Sequence, residues 1–127
     1  MNILDENIID SQRHLLKSWR FSIRQIGYEV GRQGIEDEEI IPLLHQLRRP
    51  TFFTRDSDFY RRDLCHPEYC LVHLSVKMDE AAFFIRRLLR HQEFNTIRKR
   101  MGCVIRVMHS GLSVWRRHQE GEAHFRW

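Results

Sequence analysis

The chain has 127 residues, 42% of them hydrophobic and 30% charged, the composition of one globular domain, 1–127, with a real core but no room for two. Asp5, Glu6 and Asp10 interrupt any apolar run near the start, and no run elsewhere reaches spanning length, so neither a secretory leader nor a membrane segment is expected and a cytoplasmic location is the default. The net charge of +4 divides unevenly: residues 1–85 carry 11 Lys/Arg against 14 Asp/Glu, while 86–127 carry 10 against 3.

In chain order, Met1–Leu4 reads as a short strand, and Asn7 as the cap of a helix whose apolar positions are Ile8, Leu15, Leu16 and Trp19. Phe21, Ile23 and Ile26 suggest a second strand, loosened afterwards by Gly27, Gly31 and Gly34. Asp37 is expected to cap a second helix with Ile40, Ile41, Leu44 and Leu47 on one face; Pro42 blurs its start and Pro50 stops it. Thr51–Thr54 and Cys70–Leu74 read as buried strands, and Asp79 as the cap of a helix carrying Ala81, Phe84, Ile85, Leu88 and Leu89. A basic stretch, 94–100, precedes two strands, Cys103–Val107 and Leu112–Trp115, joined as a terminal β-hairpin by His109-Ser110-Gly111, and Glu122–Trp127 offers an edge. The alternation predicts an α/β fold: a compact, doubly wound, mainly parallel sheet with helices on both faces.

Asp5-Glu6 and Thr54-Arg55-Asp56-Ser57-Asp58 each follow an apolar run, which puts their carboxylates at C-terminal strand ends, where open α/β sheets keep their sites. A third cluster, Glu36-Asp37-Glu38-Glu39, opens the second helix. Carboxylates drawn from three separated segments suggest a cage for a hard divalent cation. Such an ion would polarise a phosphodiester and acidify a bound water, with a 5′-phosphate and a 3′-hydroxyl as products. Singly, each acid has a plainer reading: Asp37 as a helix cap, Asp5 as a cap with Asn7, Asp56 and Asp58 as turn formers. Their combination favours the metal. The Arg-rich second half suits a polyanion such as RNA or DNA, or is simply a solvated face.

The strings Leu4-Asp5-Glu6-Asn7, Gly34 followed by Asp37-Glu38-Glu39-Ile40, and Thr54-Arg55-Asp56-Ser57-Asp58-Phe59 together resemble the PIN-like domain family, in particular its short prokaryotic toxin-like branch, over roughly residues 1–60. The resemblance implies a metal-dependent endoribonuclease using Mg²⁺ or Mn²⁺, with a small antitoxin protein as partner and homodimer formation as a family habit. Carried over by position, Asp5, Asp37, Asp56 and Asp58 would be catalytic residues and metal ligands, and Glu6 and Glu38 would support them. On the residues themselves, Thr54 or Ser57 could orient a ligand or the water, and Arg55, Arg61 and Arg62 could clamp the phosphate backbone.

Two rivals of other classes fit some of the same residues. A receiver-like phosphoacceptor domain would use Asp5, Glu6 and Asp56, although the late chain lacks a strand-end lysine to meet an acyl phosphate. A non-catalytic module would bind nucleic acid or a basic protein segment passively. Cys65, His66, Cys70 and His73 could form a zinc site, but without a paired CxxC they read as ordinary strand and edge residues. The three cysteines are too few, and odd in number, for a disulfide framework. Trp115, Phe125 and Trp127 interleave with Arg116, Arg117 and Arg126, which suits base stacking or an aromatic core face equally.

Overall fold

A computed structural model describes residues 1–127. The strands are β1 (Asn2–Leu4), β2 (Ile23–Gln25), β3 (Thr51–Thr54), β4 (Cys70–Leu74), β5 (Cys103–Met108), β6 (Gly111–Arg116) and β7 (Ala123–Phe125). They form one sheet in the order β2-β1-β3-β4-β5-β6-β7. The first five run parallel, and β6 and β7 return antiparallel. The sheet is therefore mixed, where a mainly parallel one was expected. The cause is local: the two-residue connection His109-Ser110 leaves no length for a crossover, so β5 and β6 must pair as a hairpin.

Consecutive phenylalanines explain why helices cover both faces. Phe52 and Phe53 are both fully buried, and neighbours on a strand point opposite ways, so each face needs its own cover. On Phe53's side, Leu4, Val72 and Ile105 pack against helices α1 (Asp10–Ser18) and α3 (Ala81–Arg90) through Leu16, Phe84, Ile85 and Leu88. On Phe52's side, Ile3, Leu71 and Val104 meet Ile40 and Leu44 of helix α2 (Asp37–Gln46). No helix is long and apolar enough to cross a membrane.

The helix starts depart from their expected caps. Asn7 lies in a turn closed by Ile8 N–H to Asp5 O at 3.1 Å, and α1 begins after Ile9 with no side-chain cap. Asp37 is the first residue of α2 rather than its cap, which is Glu36; Glu39 reaches back to accept the Glu36 N–H at 2.9 Å. Asp79 belongs to a 3₁₀ turn, Met78–Glu80, that leads into α3, and Glu80 does the comparable work by accepting the Lys77 N–H at 3.0 Å. Phe21 precedes β2 instead of joining it. Pro42 lies inside α2, where its missing bond would have gone to the carbonyl of exposed Glu38, within reach of water.

The basic stretch folds into a further short helix, α4 (Ile97–Arg100), whose cap Thr96 accepts the Lys99 N–H at 3.1 Å. Arg100 is buried, donating to Thr51 Oγ1 at 3.0 Å and Phe94 O at 2.8 Å, so it braces the core rather than offering charge to a partner.

Candidate functional site

Strand β1 has β2 on one side and β3 on the other, while the connecting helices α1 and α2 cover opposite faces. The crevice beyond the C-terminal ends of β1 and β3 is thus the topological switch point of the sheet. Asp5 follows β1 directly and is only 9% exposed. Thr54 ends β3, is fully buried, and donates its hydroxyl to Asp5 Oδ2 at 2.6 Å while accepting the Asp56 N–H at 3.0 Å. Asp56 in turn accepts the Asp58 N–H at 2.9 Å, capping the 3₁₀ turn Ser57–Phe59. One threonine therefore holds the Asp5 carboxylate and the Asp56 backbone together.

Asp37 comes from the start of α2. Its carboxyl is raised above the ordinary value, first by partial desolvation and then by the negative charge of Asp56, which lies within hydrogen-bonding reach, with Asp5 and Asp58 behind it. Asp5 is raised too, chiefly by burial, against the opposing bonds from Thr54 and the Glu6 N–H; Asp56 and Glu6 add repulsion. The four acids, from three segments, thus lie close enough for Asp37 to feel the charge of the other three. They do not close into a tight shell, because none of them belongs to a group of donor atoms all within 4.8 Å of one another.

The supporting residues divide. Glu6 accepts the Gly34 N–H through both oxygens at 3.0 Å and so ties the β1 end to the loop before α2. That loop needs glycine at 27, where φ is +87° and a Cβ would stand 2.9 Å from Glu6 Oε2. Glu38 and Ser57 are exposed, and their side chains make no hydrogen bond. Arg55 is held by Val76 O at 3.1 Å, beside the acidic turn. Arg61 pairs with Asp63 at 2.5 Å, and Arg62 donates to Gln119 O at 2.8 Å over the Trp115 ring, so neither is directed at the carboxylates.

Residues not foreseen from sequence complete the region. Gln25 is fully buried, and its amide donates to Asp5 O at 3.0 Å and Ile8 O at 2.7 Å, shaping the turn that carries Asp5. Arg13 holds Gln25 Oε1 at 3.1 Å and pairs with Glu29, whose carboxyl it pulls down to about 2. In strand register, Thr54 neighbours His73, His73 neighbours Arg106, Arg106 neighbours Ser113 and Ser113 neighbours His124. This polar row extends from the site across the sheet. Burial, then Arg106, lowers the pKa of His73. Arg106 lies 4.3 Å from the centre of the Tyr60 ring, whose hydroxyl donates to Glu122 at 2.7 Å. The polar residue at the same offset in successive strands was the available signal.

Other sequence motifs resolve into structure. Cys70 is fully buried on β4 and His73 stands near that strand's other end, so they cannot join Cys65 and His66 around one ion. At the end of β5 stands His109, paired with Glu80 at 2.9 Å, and no lysine. Phe125 and Trp127 pack against the core, and Trp127 Nε1 donates to Met108 O at 2.7 Å. The largest cleft, about 850 Å³, lies elsewhere, between the start of β5 and the end of β6, where Lys99, Arg116 and Arg117 line it. No known protein family, curated protein or solved structure matches the chain.

Proposed function

We propose that the chain is a divalent-metal-dependent endoribonuclease of the PIN-like kind. The observation that carries this reading is the meeting of Asp5, Asp37 and Asp56, from three separated segments, at the switch point of the sheet, with Asp58 beside them. An all-oxygen set of loosely spaced carboxylates suits Mg²⁺ or Mn²⁺, which keep several waters and take few protein ligands. Asp5, Asp37 and Asp56 would hold the ion and Asp58 would flank it. When bound, the ion supplies Lewis-acid polarisation of a phosphodiester and an acidified water.

The chain's own residues have definite parts in this scheme. Thr54 keeps Asp5 and Asp56 oriented, Glu6 fixes the loop that leads to Asp37, and Gln25 holds the turn that presents Asp5. Arg55 is the cation nearest the acidic turn in sequence and the best placed of the three expected arginines to meet a phosphate. RNA as substrate and an antitoxin as partner rest on the resemblance of residues 1–60, and a homodimer has that support alone. The test is cleavage of end-labelled total RNA in Mn²⁺, Mg²⁺ or EDTA, with Asp56→Asn alongside, since asparagine can still accept the Asp58 N–H. Metal-dependent fragments absent from the variant are expected.

One observation favours a second reading, a passive nucleic-acid-binding module: the largest cleft is basic and lies away from the carboxylates. Salt-sensitive RNA binding, lost in an Arg116→Ala, Arg117→Ala protein and unaccompanied by cleavage in any metal, would select it.

A further inference from the structure

At the opposite end of α2 from Asp37, the last helical turn meets the segment that enters β4. His45 from the helix and His66 and Glu68 from the segment each offer a ligand atom, and these atoms all lie within 4.8 Å of one another. The two imidazoles stand edge to face with centroids 4.5 Å apart, and His45 Nδ1 is 3.7 Å from Glu68 Oε2. Tyr69 stacks on His66 at 5.3 Å and meets His45 edge-on at 5.4 Å, which limits how both rings turn. We propose that His45, His66 and Glu68 form a site for a borderline transition-metal dication, Zn²⁺ foremost.

The donor chemistry differs in kind from that of the carboxylates. Two imidazoles and one carboxylate are a zinc-type set that leaves a fourth position for water, whereas Mg²⁺ and Mn²⁺ favour oxygen. A plain His45–Glu68 ion pair accounts for two of the residues, while His66, held by the Tyr69 ring and the Glu68 N–H, brings a second imidazole to the same point. If both imidazoles were protonated they would repel; as neutral rings they offer lone pairs that a shared cation can take up together. All three side chains are partly or fully exposed, so they can draw in toward an ion at about 2.0–2.1 Å from each nitrogen. The cost is one weak bond. His66 Nδ1 accepts the Glu68 N–H at 3.2 Å, and ligation through either ring nitrogen removes that acceptor, by using its lone pair or by placing the hydrogen on it. The released amide lies on an exposed residue and can turn to water.

The position gives the ion a structural effect. It joins the C-terminal turn of α2 to the end of the 55–69 segment, and these same two pieces carry Asp37 and Asp56 at their other ends. A bound ion would tie them together at the far side of the sheet. The proposal is independent of the nuclease reading, since it uses none of Asp5, Asp37, Asp56 and Asp58.

The experiment uses the full chain without a polyhistidine tag, titrated with Zn²⁺ against a chromophoric chelator and with Co²⁺ followed by visible absorption, in Mg²⁺-containing buffer. One equivalent is expected. His45→Ala and His66→Ala should each weaken it by at least about tenfold, the loss that removing even an outer-shell partner brings. Glu68→Gln should weaken it less, and Cys65→Ser and Asp5→Asn should leave it unchanged, with circular dichroism showing every variant folded. No stoichiometric Zn²⁺ binding by the parent would overturn the site. So would binding that survives either histidine change, or that falls with Cys65→Ser or Asp5→Asn instead.

Discussion

Thr54 Oγ1 donates to Asp5 Oδ2 at 2.6 Å across the pairing of β3 with β1, and the same oxygen accepts the Asp56 N–H at 3.0 Å. A fully buried hydroxyl with both roles used cannot be replaced without loss. Thr54→Val keeps the shape but leaves a buried carboxylate oxygen and an amide unpaired, at a cost of about 1–3 kcal/mol. Urea unfolding measures it, and Thr54→Ser should recover most of the stability. A valine protein as stable as the parent would show that the bond is not holding the site.

The crowded carboxylates are a cost in the absence of an ion. Asp5 and Asp37 have folded pKa values raised from 3.8, so between that value and the raised one the folded chain holds more protons than the unfolded. By linkage, stability from these groups is greatest at acid pH and falls as pH rises through that window. In EDTA at neutral pH, an Asp5→Asn, Asp56→Asn protein should therefore melt higher than the parent, with a flatter pH profile above pH 4. It should also lose the stabilisation Mn²⁺ gives the parent. A double variant that melts lower in EDTA would contradict this account.

Glu29 has the opposite sign. Arg13 holds its carboxyl at about 2, below the ordinary 4.5, so its contribution is present above 4.5 and is lost as pH falls toward 2. The pair is partly exposed, which limits the effect to roughly 1 kcal/mol or less. Glu29→Gln should remove that part of the acid destabilisation in urea melts taken between pH 5 and 2. Because Arg13 also holds Gln25, the Asp5 turn should loosen in the same variant, readable as faster hydrogen exchange of the Ile8 amide.

Thr51–Thr54 and Cys70–Leu74 were legible residue for residue, because a short run of apolar and β-branched residues between turn signals has one economical reading. The strand-end carboxylates were legible for a related reason: an acid directly after such a run can only stand at the strand's C-terminal end. Caps were not. Asn7, Asp37 and Asp79 are each good capping residues by type, but the turn at Asp5, the Glu36–Glu39 bond and the 3₁₀ entry to α3 moved each start by one or two residues. The roles of Gln25, His73 and Arg106 were harder to read: the repeated polar offset marks His73 and Arg106, but what they do comes from strand order and register, and the reversal at β1 is absent from any local pattern. His45 and His66 lie 21 positions apart, and only the packing of α2 beside the approach to β4 brings them together.

The central claim is that Asp5, Asp37 and Asp56 together gather a hard divalent cation. Mn²⁺ binding, followed by the loss of its free electron-spin resonance signal, tests this most directly in the parent, Asp5→Asn, Asp56→Asn and His45→Ala proteins. Binding by the parent and by His45→Ala, competed by Mg²⁺ and lost in both aspartate variants, is the predicted result. Mn²⁺ binding equal in all four proteins, or absent from the parent, would contradict it.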